Sequence, residues 1–267
     1  MGEKPNNLDG KKWLQYSFSI LRDLEKTKEE KSLKHPAMFP SQLTSRFIEI
    51  YTKNNTDVVL DPFLGSGSTL LSAYLMGRKG IGFEISKEYI KLSKERISQA
   101  QLALTQNQAN LTTPEIYNDT IFNIPNVLKE NSVDLVITSP PYWNILTEKR
   151  SADRKEIRKY SDSDIDLGNI ADYNEFLNKL KEAFRGVGKV LKTGKYCIVV
   201  VMDIRKKSKF YPFHMDMTKI MSEVGFELDD IMIWDRQKEY NNMKPLGYPY
   251  VFRVNKVHEF ILIFKKI

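Results

Sequence analysis

The sequence predicts an α/β fold, a mostly parallel sheet with helices on both faces. From residue 56 onward short apolar strands alternate with helical stretches, the order that parallel pairing through helical crossovers produces. GKYCIVVVMD (194–203) sets apolar side chains at adjacent positions, as an interior strand covered on both faces does. DPFLGSGST (61–69) joins the first strand of the alternation to its helix through a glycine turn, with the helix N-terminus facing the crevice where open α/β sheets take ligands.

In chain order, residues 1–10 are a polar tail. Residues 11–30 place Trp13, Leu14, Phe18, Leu21 and Leu24 among charges in a helical rhythm, so 1–33 is expected to be an N-terminal helical extension ahead of a main domain at 34–267. SQLTSRFIEIYTK (41–53) is a further helix, with Ser41 as its cap and Leu43, Phe47 and Ile50 along one side. TDVVLD (56–61) is a strand and STLLSAYLMG (68–77) a helix closed by Gly77; KGIGFEI (79–85) is the next strand, followed by a helix from Ser86 to about Gln106. PEIYN (114–118) and VDLVIT (133–138) are strands, and a helix from Tyr173 to about Val190 precedes the interior strand. A helix around 212–223 leads through Gly225 to the strand FELDDIMIW (226–234), and HEFILIFKK (258–266) alternates as a terminal strand. Two polar, basic stretches break the pattern, 144–170 and 235–256. They read either as exposed loops or, because both follow C-terminal strand ends, as ligand-facing insertions.

Charge and composition narrow the function classes. The chain carries 41 basic and 34 acidic residues, a formal net charge of +7, which suits a polyanionic partner. No apolar stretch approaches the roughly 18 residues of a membrane span, and the polar start MGEKPNNLDGKK has no apolar h-region, so no membrane and no secretory leader are expected. The single cysteine, Cys197, has no partner for an intrachain disulfide and fits a reducing cytoplasm. With three histidines and that one cysteine scattered along the chain, no metal site is expected.

In the glycine turn, Gly65 and Gly67 permit tight dihedrals and close ligand approach, and Ser68 or Thr69 can cap the following helix. The lysine of a phosphate loop is missing, and Asp61 stands beside the ligand position, favouring a cationic or amine-bearing molecule over pyrophosphate. Glu84 and Asp119 end the next two strands, either as ordinary strand-end polar groups or as partners of ribose hydroxyls and an adenine amine. The three acids together suit a nucleoside that carries a positive charge and an amino-acid tail, as S-adenosylmethionine does.

TSPPYWN (138–144), DPFLGSGST and KHPAMFPSQLTSRFI (34–48) together resemble the DNA amino-methyltransferases, enzymes that methylate cytosine N4 or adenine N6. The first matches the (D/N/S)-P-P-(Y/F) catalytic motif. The second is close to DPFxGSGTT, and the third resembles the segment that packs over the methionine part of the cofactor. HEFILIF (258–264) is a softer match to the family's last strand. The order of the blocks resembles the family's gamma-type arrangement, and the chain looks circularly permuted against the commoner relatives with HPAxFP wording.

The resemblance implies the class I S-adenosylmethionine-dependent methyltransferase fold, a seven-stranded sheet with an antiparallel last strand, occupying 34–267 as a catalytic domain. Cofactor contacts carry over to Pro36, Phe39, Ser41, Asp61, Pro62, Phe63, Gly65, Ser66, Gly67, Glu84, Ile85 and Asp119, with S-adenosyl-L-homocysteine as product.

Catalysis is expected at Ser139, Pro140, Pro141 and Tyr142. The target nucleotide leaves the helix, Tyr142 stacks on it, and the Ser139 hydroxyl and Pro140 carbonyl accept the amine hydrogens. The nitrogen lone pair then faces the methyl, and positioning does the work. Trp143 either extends the stacking wall toward DNA or belongs to the core. Cys197 lacks the Pro-Cys setting of cytosine C5 enzymes and is read as structural. DNA contacts are expected from Lys149, Arg150, Arg154, Lys155 and Arg158, from Arg205 and Lys207, and from Arg236 and Lys244. Among the family SPPY goes with cytosine N4 more than with adenine N6, so the resemblance implies cytosine N4, although Ser139 by its own chemistry does not distinguish two aromatic amines. Adenine N6 is the alternative, and RNA or protein-glutamine methylation is a further one. The expected partner is double-stranded DNA, met by a cytoplasmic monomer or homodimer, and the family allows a cognate restriction endonuclease that acts independently.

Overall fold

Five strands line up in parallel across the middle and one flank of a single sheet. They are β2 (Val58–Asp61), β3 (Lys79–Phe83), β4 (Glu115–Tyr117), β5 (Val133–Thr138) and β6 (Leu191–Val201). With β1 (Ile20–Leu21), β9 (Phe226–Asp235) and β10 (His258–Lys266), the eight-stranded order is β1-β9-β10-β6-β5-β2-β3-β4. β10 runs antiparallel to both β6 and β9, so it is the one reversed strand in this sheet. The computed structural model describes residues 4–33, 38–104, 111–145, 166–239 and 245–267.

Period-two alternation divides the core between the two faces of the sheet. On β6, Cys197, Val199 and Val201 join Phe176, Phe184 and Val187 of α7 (Tyr173–Val190) and Phe213 and Met217 of α8 (Phe213–Ser222). Ile198 and Val200 point the other way, to Leu43, Phe47 and Ile48 of α3 (Ser41–Tyr51). α4 (Ser68–Leu75) and α5 (Lys87–Ala103) follow β2 and β3. Chain direction switches between β2 and β5, since β3 and β4 lie on one side of that pair and β6 on the other. A crevice opens at such a switch point, outside the carboxyl ends of the strands.

Four expectations are corrected here. The helical rhythm of 11–30 breaks into α1 (Gly10–Tyr16), strand β1 and α2 (Lys28–Ser32), because the Ser17 N–H and hydroxyl bond back to the Leu14 carbonyl and close the first helix. The freed chain then pairs with the sheet edge beside β9, which makes eight strands where the resemblance implies seven. Leu21 and Leu24 sink into the same core as Leu43, Phe47 and Trp234. Pro40, not Ser41, is the N-cap of α3, and the Ser41 N–H is taken by Glu30 Oε1 at 2.8 Å. Gly67, in the left-handed region at φ 83°, caps α4 in place of Ser68 or Thr69. Beyond the sheet, β7 (Ile204–Lys206) and β8 (Lys209–Tyr211) form a hairpin.

Candidate active site

Asp61, the last residue of β2, is buried and ties three elements together at the switch point. Its carboxylate accepts from the Phe63 N–H at 3.1 Å, the Thr69 hydroxyl of α4 at 2.6 Å and the Thr138 hydroxyl at the end of β5 at 2.9 Å. Glu84 sits one strand over and accepts from the Gly65 and Ser86 N–H groups, each at 2.8 Å. The glycine turn thus hangs between two carboxylates. A side chain on Gly67 would meet Ser93 Cβ at 2.5 Å and would also have to hold φ 83°, so only glycine fits. Pro62 and Ser66 are buried in the turn, and Phe63 and Gly65 are half-buried on its rim.

The turn is braced from a direction that sequence reasoning missed. Arg96 of α5, nearly inaccessible, donates to the Ser66 carbonyl at 2.7 Å and to Ser68 Oγ at 3.3 Å, and pairs with Glu29 and Glu30 of α2. Glu30 also closes a capping box with Thr27. The Thr27-x-x-Glu30 spacing was the available signal for that helix start, but nothing local pointed at Arg96.

Among the described residues no basic side chain pairs with Asp61 or Glu84. Removal from water pushes the Asp61 carboxyl up to about 6 against its three hydrogen bonds. Glu84 is raised by burial first, with Asp61 and Asp166 adding to it. Just beyond the end of β4, Asp119 accepts from the Thr120 N–H at 2.7 Å and from the Asn123 amide. Ile85 is half-buried, and its carbonyl takes the Asn118 amide at 3.1 Å. Phe39 is buried against α3 and Ser41 is half-buried, whereas Pro36 lies outside the described residues.

The Thr138–Asp61 bond brings the SPPY segment directly beside the glycine turn. Pro140 is buried, and Ser139, Pro141 and Tyr142 are half-buried. Ser139 Oγ lies 3.2 Å from Tyr142 Oη, which donates to Glu259 Oε2 of β10 at 2.9 Å. Arg236 holds the other oxygen of Glu259 and also pairs with Glu239 at 2.8 Å. The Tyr142 phenol is pushed well above its ordinary range, by its removal from water and then by the Glu259 charge. Glu259 was not singled out from the sequence, although it lies in the HEFILIF block; the pairing needs β10 to fold back between β6 and β9.

Two DNA-facing expectations are corrected. Trp143 is only 6% exposed, packed between Tyr173 and Tyr211 with ring centroids 5.1 Å away in each case, and Lys206 lies over its ring. It is a core residue, part of the cluster with Phe176 and Phe213, and its backbone lies in the left-handed region at φ 52°. Arg236 is also turned inward, onto Glu259, Glu239 and the Trp234 ring. Arg205 and Lys207 lie in the hairpin, Lys207 exposed at its tip. Lys149, Arg150, Arg154, Lys155, Arg158 and Lys244 lie outside the described residues.

The hairpin is joined by part of the 235–256 stretch, whose aromatic residues the sequence reading did not single out. Tyr248, Tyr250 and Phe252 are 77%, 93% and 91% exposed. Their loop is fastened to the hairpin by Arg253, which donates to the Ser208 carbonyl at 3.1 Å, and by Lys256 over the Phe210 ring. Cys197 is fully buried, and burial raises its thiol far above the reactive range. Among the described residues no cluster of metal-ligating side chains occurs, and no helix is long and apolar enough to cross a membrane.

A family model described as DNA methylase (N6_N4_Mtase) matches residues 3–95 and 133–267. The Type II methyltransferase M2.LlaDCHI of Lactococcus lactis subsp. cremoris is 43% identical over 76 residues, 28% of each chain. The DNA adenine methyltransferase YhdJ of Escherichia coli is 46% identical over 66 residues, 25% of this chain and 22% of that protein. The matched segments thus span about a quarter of these relatives' own length. Among solved structures, an rRNA methylase from Streptococcus thermophilus superposes with a TM-score of 0.52 at 12% identity, covering 86% of this chain and 98% of that one. A SAM-dependent methyltransferase from Methanosarcina mazei gives 0.51 at 16% identity, covering 83% and 97%. These two likenesses show the class I methyltransferase fold.

Proposed function

Because the chain belongs to the N6_N4_Mtase family of DNA methylases, we propose that it transfers a methyl group from S-adenosyl-L-methionine to an exocyclic amine of DNA, with cytosine N4 as the target. The observation that carries the reading is the Thr138–Asp61 bond, which fastens the end of the SPPY strand to the strand that opens the glycine turn. An amine held at the first is then presented to a ligand held at the second.

The residues present fit the cofactor. Two buried carboxylates whose donors among the described residues are neutral favour a ligand that brings positive charge. Asp61 and the turn would face the methionine part, Glu84 the ribose hydroxyls and Asp119 the adenine amine, with Phe39, Phe63 and Ile85 as apolar walls. When bound, the cofactor supplies an electrophilic methyl group.

The chain's own part is aim. Pro140 and Pro141 have no N–H to compete for the amine, and they stiffen the segment that bears it. Tyr142 offers a ring to an extruded base, and Ser139 Oγ and the Pro140 carbonyl accept the amine hydrogens, turning the lone pair toward the methyl. The hairpin with Arg205 and Lys207 and the loop with Tyr250 and Phe252 form the DNA face, basic side chains meeting phosphates and exposed rings meeting bases. The basic positions of 146–165 and Lys244 are assigned to the same face from sequence alone. Residues 34–267 act as the catalytic domain with DNA-directed insertions at 144–170 and 235–256, and Glu30 of the preceding segment steadies its turn. The reading implies a cytoplasmic enzyme, monomeric or homodimeric, acting on duplex DNA, with any cognate restriction endonuclease working separately.

Adenine N6 is the second reading, favoured by the likeness to a relative that is itself a DNA adenine methyltransferase. Incubation with labelled S-adenosylmethionine and unmethylated DNA, followed by nucleoside mass spectrometry, separates the two. N4-methylcytosine supports the first and N6-methyladenine transfers the assignment to the second. Label in neither base, on DNA of varied sequence, removes DNA amino methylation altogether.

A further inference from the structure

The hydrogen-bond chain at the SPPY segment has a direction, and we propose that Glu259 sets it, acting as a positioning residue that makes the Ser139 hydroxyl an obligate acceptor toward the target amine. The inference rests on the amino-methylation reading above.

A carboxylate only accepts hydrogen bonds, whereas a phenol or an aliphatic hydroxyl has one hydrogen to give and lone pairs to receive. With Glu259 Oε2 at 2.9 Å, the Tyr142 hydrogen goes to the carboxylate. The Tyr142 oxygen then meets Ser139 Oγ, 3.2 Å away, with lone pairs alone, so Ser139 must donate to it. Both hydrogens of the chain thus point toward Glu259, and Ser139 is left with lone pairs alone to offer an N–H. With the direction reversed, Tyr142 would donate to Ser139, and the Ser139 hydrogen would point at the amine. It would there engage the nitrogen lone pair, the electrons that must receive the methyl.

Glu259 is well built for this task. It is 5% exposed and lies on β10 opposite Trp234 of β9. Arg236 occupies its other oxygen and is itself fixed over the Trp234 ring, 4.7 Å from the centroid. One carboxylate oxygen is thus held by Arg236 and the other faces Tyr142.

Glu259→Gln keeps the shape but introduces an amide donor, so the direction is no longer imposed. Single-turnover methyl transfer at saturating DNA and cofactor should fall on the order of 100-fold, the scale of losing one preorganised catalytic hydrogen bond, with cofactor affinity changed less than about 2-fold. Glu259→Asp, still an acceptor only, should recover part of the rate. Because Glu259 acts through Tyr142, E259Q/Y142F should be no slower than Y142F alone, whereas independent structural damage would multiply.

A readout apart from activity is the Tyr142 ring carbon resonance in a pH titration, assigned by its loss in Y142F. Removing the neighbouring charge should let the phenol ionise at lower pH in E259Q than in the wild type. If E259Q does not fold, Y142F and E259D carry the test, and Y142F at full rate overturns the proposal. So does E259Q at the wild-type rate, multiplicative loss in the double variant, or an unmoved Tyr142 titration. A wild type that binds cofactor but methylates no DNA amine overturns the functional reading instead, and the amine-acceptor role of Ser139 falls with it.

Discussion

Replacing Asp61 by asparagine separates the cost of a buried carboxylate from its use. In the folded protein this carboxyl titrates at about 6, against an ordinary aspartate value of 3.8. The folded state therefore binds the proton more tightly than the unfolded chain. The stability this contributes is fully present below about pH 4 and is lost as pH rises through 6. At about 1.4 kcal/mol per pKa unit, the loss amounts to roughly 3 kcal/mol.

The amide that D61N puts in place of the carboxyl does not titrate. The difference in unfolding free energy between wild type and D61N, measured by urea denaturation, should therefore change by roughly 3 kcal/mol between about pH 4 and 7.5, with the wild type relatively weaker at the upper end. Against that relief stands about 1–2 kcal/mol for an amide nitrogen facing one of the two threonine hydroxyls that now donate to the carboxylate. At pH 7.5 the variant should accordingly be as stable as the wild type or slightly more so. It should nonetheless bind S-adenosylmethionine on the order of 100-fold more weakly by calorimetry, because the partner of the ligand's charge is gone. Identical pH dependence in the two proteins would show that Asp61 is not the titrating group. Undiminished affinity would show that its charge does not meet the ligand.

Three further outcomes follow from the same geometry. Phe252→Ala and Tyr250→Ala remove highly exposed rings, so they should leave thermal unfolding unchanged and weaken DNA binding by about 1–3 kcal/mol per stacking base, read by fluorescence anisotropy. Arg205→Ala with Lys207→Ala should reduce the slope of log affinity against log salt by about 1–2 without changing base preference in a competition assay, as phosphate contacts do. Cys197, fully buried with its thiol pKa raised, should resist a thiol-specific disulfide reagent in the native state and react only on unfolding, with absorbance reporting the released leaving group.

The alternation of strand and helix, the glycine turn and the SPPY segment were legible because each depends on local chemistry. Period-two burial, left-handed glycine and proline rigidity are written residue by residue, and Asp61, Glu84 and Ser139 stand at strand ends where those patterns place them. Arg236 was misassigned to the surface, and Trp143 was left open between a DNA-facing wall and the core, for the opposite reason. An aromatic or a guanidinium beside an irregular stretch looks the same in sequence whether it turns outward or inward. Only the packing of Trp143 between Tyr173 and Tyr211, and the return of β10 with Glu259 beneath Arg236, decided the matter.

By itself, then, the sequence determined the kind of sheet, the two motif-bearing strand ends and a chemistry of acids that suits a cationic nucleoside. Tertiary structure alone decided that Thr138 and Asp61 meet, that Arg96 braces the turn while paired with Glu30 of a segment read as a mere extension, and that a carboxylate from the last strand gives Tyr142 and Ser139 their direction. Each of these links joins residues far apart in the chain, and hydrogen bonds between distant groups exist only once the sheet order has brought their strands side by side.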